Sequence, residues 1–287
     1  MKKVLGVYSS PTPHWVGDGF PVKTLFSYQM QDQQISPFLL LDYAGPIDFP
    51  PSEHKRGVGE HPHRGFETVT LVYQGELAHQ DSTGKGGVIG PGDVQWMTAG
   101  SGIMHEEFHS EAFTQSGGTL EMLQLWVNLP QKHKMATPKY QAIAAEDIPS
   151  IPLPNKQGMV RLIAGEYGNL VGPAETYTPM QVLNIAIKPA GKQQLSVPEG
   201  WTTILIVRKG QARINGQLIS CGQTMILSRS GQLLEIESEL DSDLVLLSGE
   251  PIQETVVGYG PFVMNSKAEI QQAFSDLREG KFDQLSH

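Results

Sequence analysis

Short apolar runs of strand length, each closed by turn residues, recur along nearly the whole chain. Lys3 to Tyr8, Val22 to Tyr28 and Pro37 to Asp42 come first, with Pro11 to Pro13 and Gly17-Asp18-Gly19 between them. Val69 to Gln74 ends at Gly75, Glu76 to Gln80 returns, and Val94 to Thr98 follows the turn at Pro91-Gly92-Asp93. The glycine-rich stretch Ser82 to Gly87 is predicted to be a hairpin connection, since it lacks the lysine-threonine ending of a phosphate loop. Leu120 to Leu129 closes this series. Strands at roughly 8–12-residue spacing predict a sandwich or small barrel.

The rhythm breaks between Pro130 and Gly158, where Thr137-Pro138, Ile148-Pro149, Ile151-Pro152 and Leu153-Pro154 place prolines too densely for a central strand. That stretch reads as an interdomain connector. The strand pattern then resumes with Met159 to Gly165, Gln181 to Ile187 and Thr203 to Val207, and continues to Leu244 to Ser248. The predicted architecture is therefore all-β: two β-barrel domains in tandem, over 1–136 and 159–287, joined by a Pro-rich connector over 137–158 and related by internal duplication.

A short helix over 266–279 is predicted to close the second domain. Ser266-Lys267-Ala268-Glu269 is a capping box, Ile270, Phe274 and Leu277 form one apolar stripe, and Gly280 supplies the stop. Its polar face carries Glu269, Asp276 and Glu279 beside Lys267 and Arg278, so the stripe is expected to pack on a barrel wall and not on a membrane.

Composition agrees with many short strands. The 287 residues include 31 glycines and 20 prolines, 39% are apolar, and 18% are charged. A net charge of -9 argues against a nucleic-acid or anionic-membrane surface. The single Cys221 excludes an internal disulfide and a cysteine-held metal, and is expected to be a small buried hydrophobe. Lys2 and Lys3 precede an apolar run too short for a secretory signal, and no run approaches ~20 apolar residues, so a cytoplasmic protein is expected. An acidic surface and a covered C-terminal helix suit a monomer.

The chemistry is concentrated in two stretches, His61-Pro62-His63-Arg64-Gly65-Phe66-Glu67 and Gly100 to Glu107. On a strand, residues i and i+2 share a face roughly 6.5 Å apart, so His61 and His63 point one way, as do His105 and Glu107. If the two strands face each other, three imidazoles and a carboxylate converge. Such a set suits one divalent transition metal, with iron expected first and nickel, copper, manganese, zinc or cobalt open. Eight of the nine histidines lie at or before His133 and the ninth is His287, so the second domain is expected to hold no metal. His79 and His109 are expected at the surface or rim.

His61 to Val69, Gly92 to Gly100 and Leu123 to Leu129 resemble the signature of the pirins, a branch of the cupin superfamily. The likeness continues through Pro37 to Asp42 and Tyr259 to Asn265, and so covers nearly the whole chain. It implies two cupin jelly-rolls with a metal only in the first, held by His61, His63, His105 and Glu107. Many cupins use a glutamate soon after the paired histidines, where Glu67 stands here. Parity puts Glu67 on the face of His63, but four residues of straight strand would carry it roughly 13 Å away unless the chain bends at Gly65, and a hydrogen bond to a ligand histidine is the alternative role.

Two functions follow from the resemblance. One is a metal-dependent dioxygenase similar to the pirin-type quercetin 2,3-dioxygenases, which cleave flavonol-like aromatic substrates with O2. There Glu107 is the candidate general base, and Phe66, Trp96, Met97 and Met104 could wall an apolar pocket, although core packing is the expected fate of any one of them. The alternative is a metal-dependent regulatory protein that binds a transcription factor or a metabolic enzyme.

Overall fold

The computed structural model describes residues 1–10, 12–31 and 34–282; His287 lies outside them. The chain forms two compact units. The first takes the described residues of 12–24, 40–145 and 253–287, the second those of 1–11, 25–39 and 146–252.

Each unit is built from one seven-stranded and one four-stranded antiparallel sheet, an open jelly-roll arrangement of the cupin kind and not a closed cylinder. In the first unit the large sheet runs in the order Lys139–Ile143, Val94–Thr98, Phe66–Gln74, Gly118–Asn128, Phe38–Phe49, Phe20–Ser27, His14–Val16. Its small sheet runs Gly57–His63, Ile103–His109, Leu77–Asp81, Gly86–Ile89. The second unit repeats the plan: its small sheet runs Gly191–Ser196, Leu233–Ser238, Gln211–Ile214, Gln217–Ser220. The duplication expected from the strand rhythm is thus visible as a repeated seven-plus-four topology.

The two interiors differ in chemistry. The second unit is filled by aliphatic side chains, among them Leu183, Leu195, Leu205, Leu234, Ile236 and Leu246. In the first, one end is apolar, with Phe20, Phe49, Val72, Phe113 and Met122 in contact. The other end carries the paired histidines.

Three expectations about boundaries are corrected. The Pro-rich stretch is not a free connector: Lys139–Ile143 pairs with Val94–Thr98 in the first unit, and Ser150–Pro152 pairs with Gly158–Ala164 in the second. Both are edge strands, where a proline lacking its N–H leaves no ladder bond unmade. The opening strand Val4–Ser9 pairs with Gln223–Leu227 and so belongs to the second unit, not to an N-terminal domain. The closing helix Lys267–Arg278 belongs to the first unit, because its stripe of Ile270, Phe274 and Leu277 packs with Met104, Phe262, Met264 and Phe282.

The helix ends are as predicted. Ser266 Oγ accepts the Glu269 N–H at 3.3 Å and donates to the Glu269 carboxylate at 2.8 Å. At the other end Gly280 takes a left-handed φ of 69°, which lets its N–H reach the Leu277 carbonyl and the Lys281 N–H reach that of Asp276. Cys221 departs from expectation: it is exposed on a turn, with Sγ 2.9 Å from the Arg208 carbonyl oxygen. No helix among the described residues is long and apolar enough to cross a membrane.

Candidate metal centre

The small sheet of the first unit brings the two histidine-bearing strands together as antiparallel neighbours. His63 stands opposite Ile103, Pro62 opposite Met104, and His61 opposite His105. Gly57–His63 is an edge strand, which is why Pro62 is tolerated. Ring centroids lie 4.1 Å apart for His61 and His105, and 4.9 Å apart for both His61–His63 and His63–His105. One ring nitrogen from each of the three falls within 4.8 Å of the others.

Burial holds all three imidazoles below their ordinary range, His63 and His105 well below it. They are therefore neutral at pH 7, the form that offers a lone pair to a metal. His61 Nδ1 lies 2.8 Å from the Gly59 carbonyl oxygen, so the proton resides on Nδ1 and Nε2 is left as the acceptor. His63 Nδ1 and both ring nitrogens of His105 are buried with no hydrogen-bond partner among the described residues. Buried nitrogens without partners are costly, and three of them beside His61 fit a divalent ion.

Glu107 follows His105 by two residues on the inward face of the same strand and is 8% exposed. A register shift between His105 and Glu107 sets its backbone opposite Val58, and its carboxylate lies outside the 4.8 Å imidazole cluster. The Thr70 hydroxyl, which donates to Gln124 Oε1 at 2.8 Å, lies 3.5 Å from Glu107 Oε1, and burial pushes the Glu107 carboxyl up to about 7.

Glu67 lies elsewhere. Gly65 takes φ 86°, and the chain turns there from the small sheet into the large one, so strand parity does not carry across. Phe66, not Glu67, meets the His63 ring, at 5.1 Å. Glu67 stands opposite Thr98, whose hydroxyl donates to it at 2.7 Å, and its carboxylate is neither in the imidazole cluster nor bonded to a ligand histidine. Burial raises it to about 7.

His79 and His109 are buried, not surface residues, at 6% and 2% exposure. His109 packs edge-on against Phe20, Phe49 and Phe113, and its Nε2 lies 3.0 Å from the Gly19 carbonyl oxygen. His79 stands opposite Glu107 on the next strand and stacks on Tyr140 at 4.9 Å, while Asp81 stands opposite His105. The i,i+2 pattern that identified the other two pairs is present in His79-Gln80-Asp81 and could have found them. Of the residues expected to wall a pocket, Phe66 is fully buried beside His63, in ring contact with the partly exposed Trp126, which lies 4.3 Å from it and 5.6 Å from His63. Trp96 is buried opposite Val69 on the Glu67 side of the sheet, Met97 packs with Ile103 and Tyr140, and Met104 packs under the closing helix.

In the second unit the two strands at the same positions in the small sheet are Gly191–Ser196 and Leu233–Ser238, whose facing buried pairs are Gln193 with Ile236 and Leu195 with Leu234. Three aliphatic side chains and one amide, Gln193, stand there, and no imidazole does.

The chain matches the Pirin family model over residues 19–127 and the Pirin C-terminal cupin domain over residues 182–283. It is 55% identical to a protein of Pseudomonas aeruginosa named "Putative quercetin 2,3-dioxygenase", across 98% of this chain and 99% of that one. Human Pirin is 38% identical, across 87% of this chain and 83% of its own. Among solved structures, a quercetin 2,3-dioxygenase from Acinetobacter baumannii superposes with a TM-score of 0.97 at 51% identity, covering all of both chains.

Proposed function

Because this chain belongs to the pirin family, we propose that it is a metal-dependent dioxygenase that opens a flavonol-like aromatic substrate with O2. The observation that carries the reading is the trio of neutral imidazoles, two of them with buried nitrogens that no protein group among the described residues satisfies. The names of the relatives at 55% and 51% identity supply the substrate class.

His61, His63 and His105 would hold one metal per chain, and Glu107, outside their cluster in this structure but on the same inward face as His105, would swing in as the fourth ligand. The chemistry that such an ion supplies is Lewis acidity toward a substrate hydroxyl and, where it is redox-active, electron exchange with dioxygen. Iron is the first choice of metal. His61 is the least buried of the three imidazoles, so the substrate approaches across it. Trp126 beside His63, partly exposed and backed by the buried Phe66, gives a flat aromatic ring an apolar surface. Glu107 takes the hydroxyl proton of the substrate at a carboxylate oxygen, its burial having raised its proton affinity toward that of a base working near neutral pH.

The test is oxygen uptake by protein loaded in turn with iron, nickel, copper, manganese, zinc or cobalt and offered quercetin. Consumption of O2 with loss of the flavonol absorbance is expected with at least one ion. No consumption with any of them overturns the dioxygenase reading. Copurification of a stoichiometric transcription factor or metabolic enzyme, without turnover, would carry the regulatory alternative in its place.

A further inference from the structure

Arg64 and Gly65, which join the ligand strand to the large sheet, are gripped from three directions. Arg64 Nε donates to the Ser101 carbonyl at 2.6 Å and Nη1 donates to Asp276 on the closing helix at 2.8 Å. Its guanidinium lies over the Phe282 ring, 4.5 Å from the centroid. The Arg64 backbone pairs with the C-terminal segment as well, donating to Pro261 and accepting from Val263. The Gly65 N–H donates to the Gly100 carbonyl at 2.9 Å. From the third side Lys134 Nζ donates to the Gly65 carbonyl at 2.7 Å, and also to Asn128 and to the Val263 carbonyl.

The same segment bears on the turn before the other ligands. A Cβ on Gly102 would lie 2.8 Å from the Phe282 ring, and one on Gly65 would lie 2.1 Å from the Val263 carbonyl oxygen. Gly65 comes two residues after His63, and Gly102 three residues before His105. A planar guanidinium that donates to Ser101 and Asp276 at once fixes the distance between these two turns, which a flexible single-point cation does not.

We propose that Arg64 is a positioning residue: its bridge from Asp276 to Ser101 sets the spacing between the His61–His63 pair and His105, so that the closing helix is part of the scaffold of the metal site. Helix docking and metal affinity are then coupled through two buried side chains. The inference rests on the metal reading above, and its test separates the two.

Co(II) serves as the probe, with affinity read by competition against a chromophoric chelator and ligand geometry read from the visible d–d bands. Asp276→Asn keeps the shape and removes the charge; it is expected to weaken Co(II) binding about tenfold and to shift the bands, the scale expected when a group that orients a ligand is lost. Asp276→Glu restores both. Arg64→Lys keeps the charge but loses the fork; it is expected to act like Asp276→Asn, and it decides the matter if the first variant does not fold. Wild-type affinity and spectrum in a folded Asp276→Asn or Arg64→Lys protein overturns the proposal, leaving the bridge as a stabilising contact only. Failure of the wild-type protein to bind Co(II) would overturn the metal reading itself.

Discussion

His61 and His105 are direct partners across the antiparallel ladder, with ring centroids 4.1 Å apart. This one pairing places the trio, because His63 shares the face of His61 two residues on. A slip of one residue in either strand would turn its imidazoles to the opposite face, so the register of the small sheet is also the geometry of the site.

The imidazoles destabilise the metal-free fold. Both nitrogens of His105 are buried without a partner among the described residues, and each such group costs roughly 1–3 kcal/mol. His105→Leu is therefore expected to abolish metal binding and to raise the stability of the metal-free protein by about 2–6 kcal/mol. Elemental analysis and chemical denaturation check the two halves. A variant destabilised in the metal-free state would show that His105 has a partner there after all.

The closing helix should contribute to the stability of the first unit, in which Ile270 and Ala273 are buried against Phe262 and Met264. Deleting residues from Ser266 onward removes that stripe and exposes Phe262, Met264 and Met104 beneath it, at roughly 1.5–3 kcal/mol per large apolar side chain. Thermal unfolding of the truncated chain is expected to begin well below that of the full chain. Equal unfolding temperatures would mean that the helix contributes nothing to the fold.

Much of this was readable from residue order. Strand alternation and glycine turns predicted all-β units, and the i,i+2 pairs His61/His63 and His105/Glu107 picked out the strands that meet. What misled was topology. Parity assigned Glu67 to the face of His63, but the turn at Gly65 moves the chain between sheets, and no periodicity within one strand reports that. The strand Val4–Ser9 and the helix Lys267–Arg278 each joined the unit remote in sequence, because local pattern states that an apolar face exists and not which partner covers it. His109, a lone histidine, carries no sign of burial in the sequence, and the His79/Asp81 pair shows a shared face but not what covers it; their neighbours Phe49 and Tyr140 arrive from other strands.

Glu67 makes stability depend on pH. Burial raises its carboxyl from the ordinary 4.5 to about 7, so between those values the folded state holds a proton that the unfolded state releases. Stability from this group is fully present below about pH 4.5 and is lost as pH rises through 7. A tenfold difference in proton affinity between the two states is worth about 1.4 kcal/mol, so the loss amounts to about 3 kcal/mol at most. Glu67→Gln, which can keep the Thr98 hydrogen bond without the charge, is expected to be more stable than wild type at pH 8 and close to it at pH 4. Denaturation curves at the two pH values check this, and parallel behaviour of the two proteins would remove Glu67 as the cause.

Glu107 has two separable roles under the proposed function. As a ligand alone, its replacement by Gln keeps a carbonyl oxygen for the ion and removes one negative charge. Metal affinity should then fall modestly, and activity in proportion to occupancy. As ligand and base together, the same change also removes the proton acceptor, and such losses run to about 10²–10⁴ in rate. The buried setting favours the second outcome, since the carboxylate faces Thr70 and, among the described residues, has no cationic side chain bonded to it that would tie up its lone pairs. Glu107→Gln at saturating metal is expected to lose at least ~100-fold in flavonol cleavage, whereas His63→Ala loses the metal itself. Saturation must be verified by metal analysis of the assayed sample, because an empty site mimics a missing base. Near wild-type turnover by a fully metallated Glu107→Gln protein would refute the base assignment and leave deprotonation of the substrate to Lewis acidity alone.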